Sequence, residues 1–174
     1  LHAFDARAGD AGGWERFAYV PRVLQSKLAR LTAKTYGHDY FVDGTPTVID
    51  AFFNNGDGVN EPDWHTVLVA GLGAGGQGVY ALDVTNPCPN LGSEPCAPRV
   101  LWEFTELSDN YKSGKKYFSD LGFTYSRPNV VRLQNGQWVA IFGNGFDNTY
   151  DDPERNDDLP SQNGEAVLYI VDIA

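Results

Sequence analysis

Methionine does not occur in this sequence, cysteine occurs twice and histidine three times. Without methionine no natural start codon opens the stretch, so the chain is expected to be processed at its N-terminus or to be a piece of a longer protein. No apolar run approaches the roughly 18–20 residues that cross a bilayer as a helix, which excludes a helical membrane span. No secretory leader stands at the N-terminus. Basic residues are also scarce: 13 Lys and Arg face 23 Asp and Glu, a net charge of −10. Phosphate binding needs a basic patch, so nucleic acid is not an expected partner. The balance suits a soluble extracytoplasmic protein or a cation binder. What is present is globular in composition: 42% of the 174 residues are hydrophobic and 21% charged, enough for one domain with a packed core.

The two cysteines, Cys88 and Cys96, lie in "CPNLGSEPC". The spacing is not C-x-x-C, and no histidine lies nearby to complete a zinc set. A loop this rich in Pro and Gly can bring the pair together. A local disulfide is the expectation, and it implies an oxidising compartment. Two free thiols in a loop are the alternative.

Self-comparison organises the rest. "LHAFDARAGD" (1–10), "VYALDVTNP" (79–87) and "LYIVDIA" (168–174) share an apolar or aromatic run ending in Asp5, Asp83 or Asp172. "GTPTVIDAF" (44–52) repeats as "SRPNVVRLQNG" (126–136), and "WHTVLVAGLG" (64–73) as "WVAIFGNG" (138–145). "RVLWEFTEL" (99–107) follows the middle Asp-ending run, as "GWERFAYVPR" (13–22) follows the first. Each stretch is short, rich in β-branched and aromatic residues, and bounded by Gly, Asn, Asp or Pro, which predicts strands. Four such strands in tandem repeat describe a propeller blade.

The fold class is therefore all-β, a propeller segment of about nine antiparallel strands. Strands C and D of one blade fall at 1–22, a helix and linker at 23–42, and a full blade at 43–107. A linker follows at 108–122, then strands A to C of the next blade at 123–174. A closed propeller takes about four to eight blades, so the chain is expected to be a segment of a larger one. "PRVLQSKLARLTAKT" (21–35) spaces Val23, Leu24, Leu28 and Leu31 for one short helix near 22–33, its apolar face covering the sheet.

"GLGAGGQGVYALDV" (71–84) matches G-x-G-x-x-G after an apolar run. A dinucleotide cradle needs a helix after the glycines, whose N-terminus holds the pyrophosphate. A strand follows here, so the glycines are read as a tight hairpin between strands B and C.

"FVDGTPTVIDAF", "HTVLVAGLGAGGQGVYALDVTNP", "LWEF", "DLGFTYSRPNVVRLQNGQWVAIFGNG" and "AVLYIVDI" resemble the C-terminal propeller domain of the PilY family, the type IV pilus assembly and tip-adhesin proteins. The resemblance runs from residue 1 to 174. The glycine-loop run and "RPNVVRLQNGQWVAIFGNG" carry its specificity, because quinoprotein-like blades share "LHAFD" and "ALD". It implies a modified seven-bladed propeller in a long secreted protein with an adhesive N-terminal region. It further implies promotion of pilus extension against retraction, surface attachment, and minor pilins and the pilus machinery as partners. The compartment implied is the periplasm, outer membrane or cell surface at the pilus tip. Some members carry a calcium loop, D-x-D-x-D-G-x-x-D, in a propeller A–B hairpin. It normally lies one blade beyond the last strand here and is carried onto no residue.

Two acidic stretches are the candidate metal sites. In "FFNNGDGVNEPDW" (52–64), Asn55, Asp57, Gly58 and Glu61 fall on positions 3, 5, 6 and 9 of the calcium pattern, but Phe53 holds position 1. Asp50, Asn60 and Asp63 are the possible substitutes for a cation that takes about six to eight oxygens. The alternative is a solvated Asn-Gly/Asp-Gly turn. In "FDNTYDDPERNDDLPSQNG" (146–164), Asp147, Asp151, Asp152, Glu154, Asp157 and Asp158 cluster in an insertion of a B–C hairpin. Calcium or a basic partner stands there against a solvated loop. His2, His38 and His65 share no metal spacing, and no nucleophile–base set is recognisable. Asp5, Asp83 and Asp172 recur with the blades, so bonding to the following turn explains them better than catalysis. The expected function is non-enzymatic, with protein contacts as mechanism. The alternative is a pyrroloquinoline quinone dehydrogenase with calcium; the irregular repeats and the want of adjacent cysteines count against it.

Overall fold

The computed structural model describes residues 1–10, 12–54, 61–87, 96–105, 120–146 and 164–174. Nine strands form three antiparallel sheets. The first pairs β1 (His2–Phe4) with β2 (Glu15–Ala18). The second is a four-stranded meander of β3 (Thr47–Phe53), β4 (Asp63–Gly71), β5 (Gly78–Asp83) and β6 (Arg99–Thr105). The third orders β7 (Asn129–Arg132), β8 (Trp138–Gly143) and β9 (Leu168–Asp172). All nine predicted strands are present. The middle sheet has the four strands expected of a whole blade, and the outer two have two and three strands.

Blades pack face to face, and the alternation along each strand says which face meets which neighbour. In β4, Val67 and Val69 join Val79 and Ala81 of β5 against Val130, Ala140, Phe142 and Ile173 of the third sheet. The intervening Leu68 and Ala70 join Tyr80 and Leu82 against Val23, Leu24, Leu1 and Tyr19. Burial on both faces explains why "TVLVAGL" and "VYAL" read as continuous apolar runs rather than alternations. Phe104, Phe142 and Tyr169 form an aromatic cluster across the second interface, with ring centroids 4.8–5.6 Å apart. Trp102 and Trp138 pack against the same core. Trp14 and Trp64 do not: both are exposed.

The segment between β2 and β3 differs from expectation. Arg22–Thr32 winds as a 3₁₀ helix, behind Pro21, whose fixed φ suits the start of a helix. Three residues per turn separate side chains that an α-helix would align. Leu24 therefore stays buried with Val23, while Leu28 and Leu31 turn outward, 37% and 51% exposed. The predicted apolar cover of the sheet is half its expected extent.

Candidate functional site

The repeated Asp is a fastener of the blade. Asp5 Oδ1 accepts the Arg7 N–H at 3.0 Å, Asp83 Oδ1 the Thr85 N–H at 3.0 Å, and Asp172 Oδ1 the Ala174 N–H at 3.2 Å. Each bond runs from residue i+2 back to the side chain, the turn chemistry of Asp. The other carboxylate oxygen is bound sideways. His65 Nδ1 lies 2.9 Å from Asp83 Oδ2, with both side chains about nine-tenths buried. Gln137 Nε2 donates to Asp172 Oδ2 at 3.3 Å. Val67 pairs with Asp83 and Val139 with Asp172, so His65 and Gln137 each stand two residues before the partner of the Asp. They fill one structural position. Thr85 extends the middle network: its hydroxyl lies 2.5 Å from Asp83 Oδ1 and accepts the Thr66 N–H at 2.9 Å. This set resembles a catalytic dyad in composition only. The Thr85 hydroxyl donates to Asp83 and accepts from the Thr66 amide, so each of its bonds serves the turn and the strand beside it.

Asp5 is a strongly perturbed carboxyl. Hydrogen bonds from the Arg7 side chain, then from the Arg7 N–H, hold it at about 2. Arg7 Nη2 lies 2.6 Å from Asp5 Oδ2. On the first inter-blade face, the Tyr19 hydroxyl bonds to Glu103 Oε1, which also accepts the Arg22 N–H at 2.8 Å. Burial, then the bond to Glu103, pushes the Tyr19 phenol far up. Burial alone pushes Tyr80 up to about 12.

The glycine loop is a hairpin. Gly73–Gly75 makes one 3₁₀ turn, and β5 follows without a helix. Gly73 has φ +58°, a left-handed conformation that side chains disfavour. A Cβ on Gly75 would sit 1.8 Å from the Phe41 carbonyl oxygen. The loop thus accepts backbone from both neighbours. The Thr124 hydroxyl takes the Leu72 N–H at 2.8 Å and donates to the Gly78 oxygen at 2.6 Å, bolting the entry of the third sheet onto this hairpin. A polar cleft of about 240 Å³ opens beside it, lined by Asp43, Thr45, Gly71, Tyr125 and Arg127 among others. The Arg127 Nε donates to Thr47 Oγ1 at 3.2 Å.

Of the proposed ligating residues, Asn55, Asp57, Asp147, Asp151, Asp152 and Asp157 lie outside the described residues, as do Gly58, Asn60, Glu154 and Asp158. Glu61 and Asp63 are described and exposed. Asp63 Oδ1 accepts the Trp64 N–H at 2.7 Å, which caps the start of β4. Asp50 Oδ1 accepts the Thr66 hydroxyl at 2.8 Å. Among the described residues no three His, Cys, Asp or Glu side chains gather as a metal set. Glu61 and Asp63 alone fall well short of a calcium shell. Cys96 is disulfide-bonded; Cys88, the only other cysteine in the sequence, lies outside the described residues. His2 Nδ1 lies 2.9 Å from Glu15 on the surface, and His38 stacks edge-on against Tyr40 at 4.8 Å. The His65–Asp83 pairing escaped sequence reading; the shared offset of His65 and Gln137 from the repeated Asp is the signal that could have found it.

Comparison with known proteins extends the structural picture. The chain is 40% identical over 174 residues to a type IV pilus biogenesis factor PilY1 homolog of Xylella fastidiosa strain Temecula1, covering 100% of this chain and 9% of that protein. It is 39% identical over 176 residues to the type IV pilus biogenesis factor PilY1 of Pseudomonas aeruginosa strain UCBPP-PA14, covering 99% of this chain and 12% of the relative. The chain thus spans about a tenth of the length of these relatives. The crystal structure of the Pseudomonas aeruginosa PilY1 C-terminal domain aligns with TM-score 0.58 and 34% identity, over 98% of this chain and 26% of that one. The family model described as the PilY1 beta-propeller domain matches residues 1–174, and the chain belongs to that family.

Proposed function

We propose that this chain is a non-enzymatic propeller segment of a secreted type IV pilus biogenesis protein, acting through contacts with minor pilins and the pilus machinery. On this reading it works outside the cytoplasm, at the periplasm, outer membrane or pilus tip, in pilus extension and surface attachment. The observation that carries it is the match of the whole chain, residues 1–174, to the PilY1 beta-propeller domain. The chemistry on the page agrees. His65, Asp83 and Thr85 of the middle blade bond to the turn and to one another, and the family match favours the pilus reading over a quinone-dependent dehydrogenase. Calcium at the A–B turn (Asn55, Asp57, Glu61, Asp63) or the hairpin insertion (Asp147, Asp151, Asp152, Asp157) belongs to the proposal as its regulator.

Deletion of the gene with complementation is the test of the main reading. Loss of surface pili and of twitching, restored by the intact gene, is the expected result. Dye-linked substrate oxidation by the purified protein loaded with the quinone would overturn it. For calcium, titration calorimetry on the intact protein and on an Asp57→Ala/Asp152→Ala variant is decisive. Equal heats for both proteins would remove these loops as sites.

A further inference from the structure

Residues 22–40 are the chemical opposite of the chain that carries them. "RVLQSKLARLTAKTYGHDY" holds Arg22, Lys27, Arg30 and Lys34 against one acid, Asp39, inside a protein of net charge −10. Phe41 and Val42, just past its end, pack into the middle blade's cluster, and at its start the burial of Val23 and Leu24 is the anchor. Beyond that anchor the 3₁₀ winding stacks Leu28 over Leu31, because residues three apart eclipse each other. Tyr36 and Tyr40 add two more large apolar side chains, 47% and 52% exposed. Two of the cations are positioned by their own chain. Lys27 Nζ donates to the Gly75 oxygen at 3.4 Å, and Arg30 Nε lies 3.1 Å from Asp39 Oδ2. Leucine and tyrosine anchors ringed by fixed cations describe the core and rim of a protein interface.

We propose that this segment is a docking surface for an acidic, apolar-anchored segment of a partner protein. Charge complementarity sets the sign of the partner. The leucine row and the tyrosines set its need for apolar side chains. An anionic membrane fits less well. An interfacial helix carries a broad apolar face along its length, whereas two leucines and two tyrosines make a narrow one, and two of the four cations are already bonded. The proposal deepens the protein-contact reading above and rests on it.

The experiment uses the intact protein. A Leu31→Cys variant is first exposed to a maleimide. Fluorescence anisotropy then follows a labelled synthetic peptide of alternating Glu and Leu. A Lys-for-Glu peptide and phosphatidylglycerol vesicles serve as the competing arms. Labelling of the folded protein and saturable binding of the acidic peptide are expected. At least a tenfold weakening is expected in both Lys27→Glu/Lys34→Glu and Leu28→Ser/Leu31→Ser, with circular dichroism unchanged. Protection from the maleimide would show the surface covered by the protein itself and overturn the proposal. So would absent or variant-insensitive peptide binding, equal binding of the basic peptide, or preference for the vesicles. Pilus assembly lost on gene deletion, with no peptide binding, would fail this surface and leave the pilus reading standing. Peptide binding with pili unaffected by deletion would do the reverse.

Discussion

His65 and Gln137 occupy one position in successive sheets, yet one is an imidazole and the other an amide. Both serve the same carboxylate geometry, so the amide is a fair exchange for the imidazole. In the intact protein His65→Gln is expected to leave thermal stability within about 1 kcal/mol of the parent. His65→Leu removes this donor from a buried carboxylate and is expected to cost about 1–3 kcal/mol. Differential scanning calorimetry distinguishes the two, and equal losses would end the equivalence. Tyr80 offers the opposite case. Its hydroxyl is buried with no hydrogen-bond partner among the described residues. An unsatisfied buried hydroxyl disfavours folding, so Tyr80→Phe is expected to be neutral or to stabilise by about 1 kcal/mol. A clear loss of stability would reveal a partner for the hydroxyl. Asp5 gives a pH dependence. Its folded value, about 2, lies below the usual carboxylate value of roughly 4. Its contribution is therefore complete above the usual value and fades as pH falls through 2. The protection factor of the Arg7 amide, its exchange relative to the unstructured peptide at the same pH, should hold down to about pH 3 and fall below, and an Asp5→Asn variant should show no such step.

Elements of one repeat read differently because their covers differ. β5 is buried along its whole length, whereas β9, with the same Tyr and terminal Asp, alternates between exposed and half-buried. All nine strands were legible, since turn residues bound each and the repeat fixes their order. The Arg22–Thr32 segment was legible as helical but not in its winding. Leucine spacing alone cannot tell three residues per turn from 3.6, and here the anchor on the sheet decides. The Asp turns were legible from recurrence, while the Tyr19–Glu103 bond joins residues 84 apart and leaves no local trace. That inter-blade face makes a spectroscopic prediction. Among the described tyrosines, Tyr19, Tyr80 and Tyr169 are the ones burial holds neutral. Their folded values are raised, so the stability they lend is full below about pH 10 and is lost as pH climbs past 12 for Tyr80. Absorbance at 295 nm should show these three ionising last, together with the loss of near-UV dichroism. Complete ionisation before unfolding would contradict the burial.

At the scale of the molecule, the repeat says what the outer faces are for. Aligned on Asp83 and Asp172, Leu168 and Ile170 correspond to Val79 and Ala81, the face of the middle blade that the third sheet covers. Leu168 and Ile170 are 65% and 58% exposed. Val48, Phe52 and Trp64 form a second exposed apolar group, with the Phe52 and Trp64 rings 5.4 Å apart. Produced as residues 1–174 alone, the chain is expected to self-associate through these faces. Leu168→Lys with Ile170→Lys should shift it toward monomer in light scattering, and an unchanged mass would place the association elsewhere. Thr124 carries a last consequence, one of timing. Its carbonyl oxygen accepts the Gly73 N–H at 3.2 Å from 51 positions further along the chain. A ribosome delivering the hairpin at 71–78 therefore delivers it unfinished, with one amide waiting for a residue not yet made. Completion of this hairpin is tied to the arrival of the sheet that follows it, so its last bond is expected to close only after residue 124 has been made.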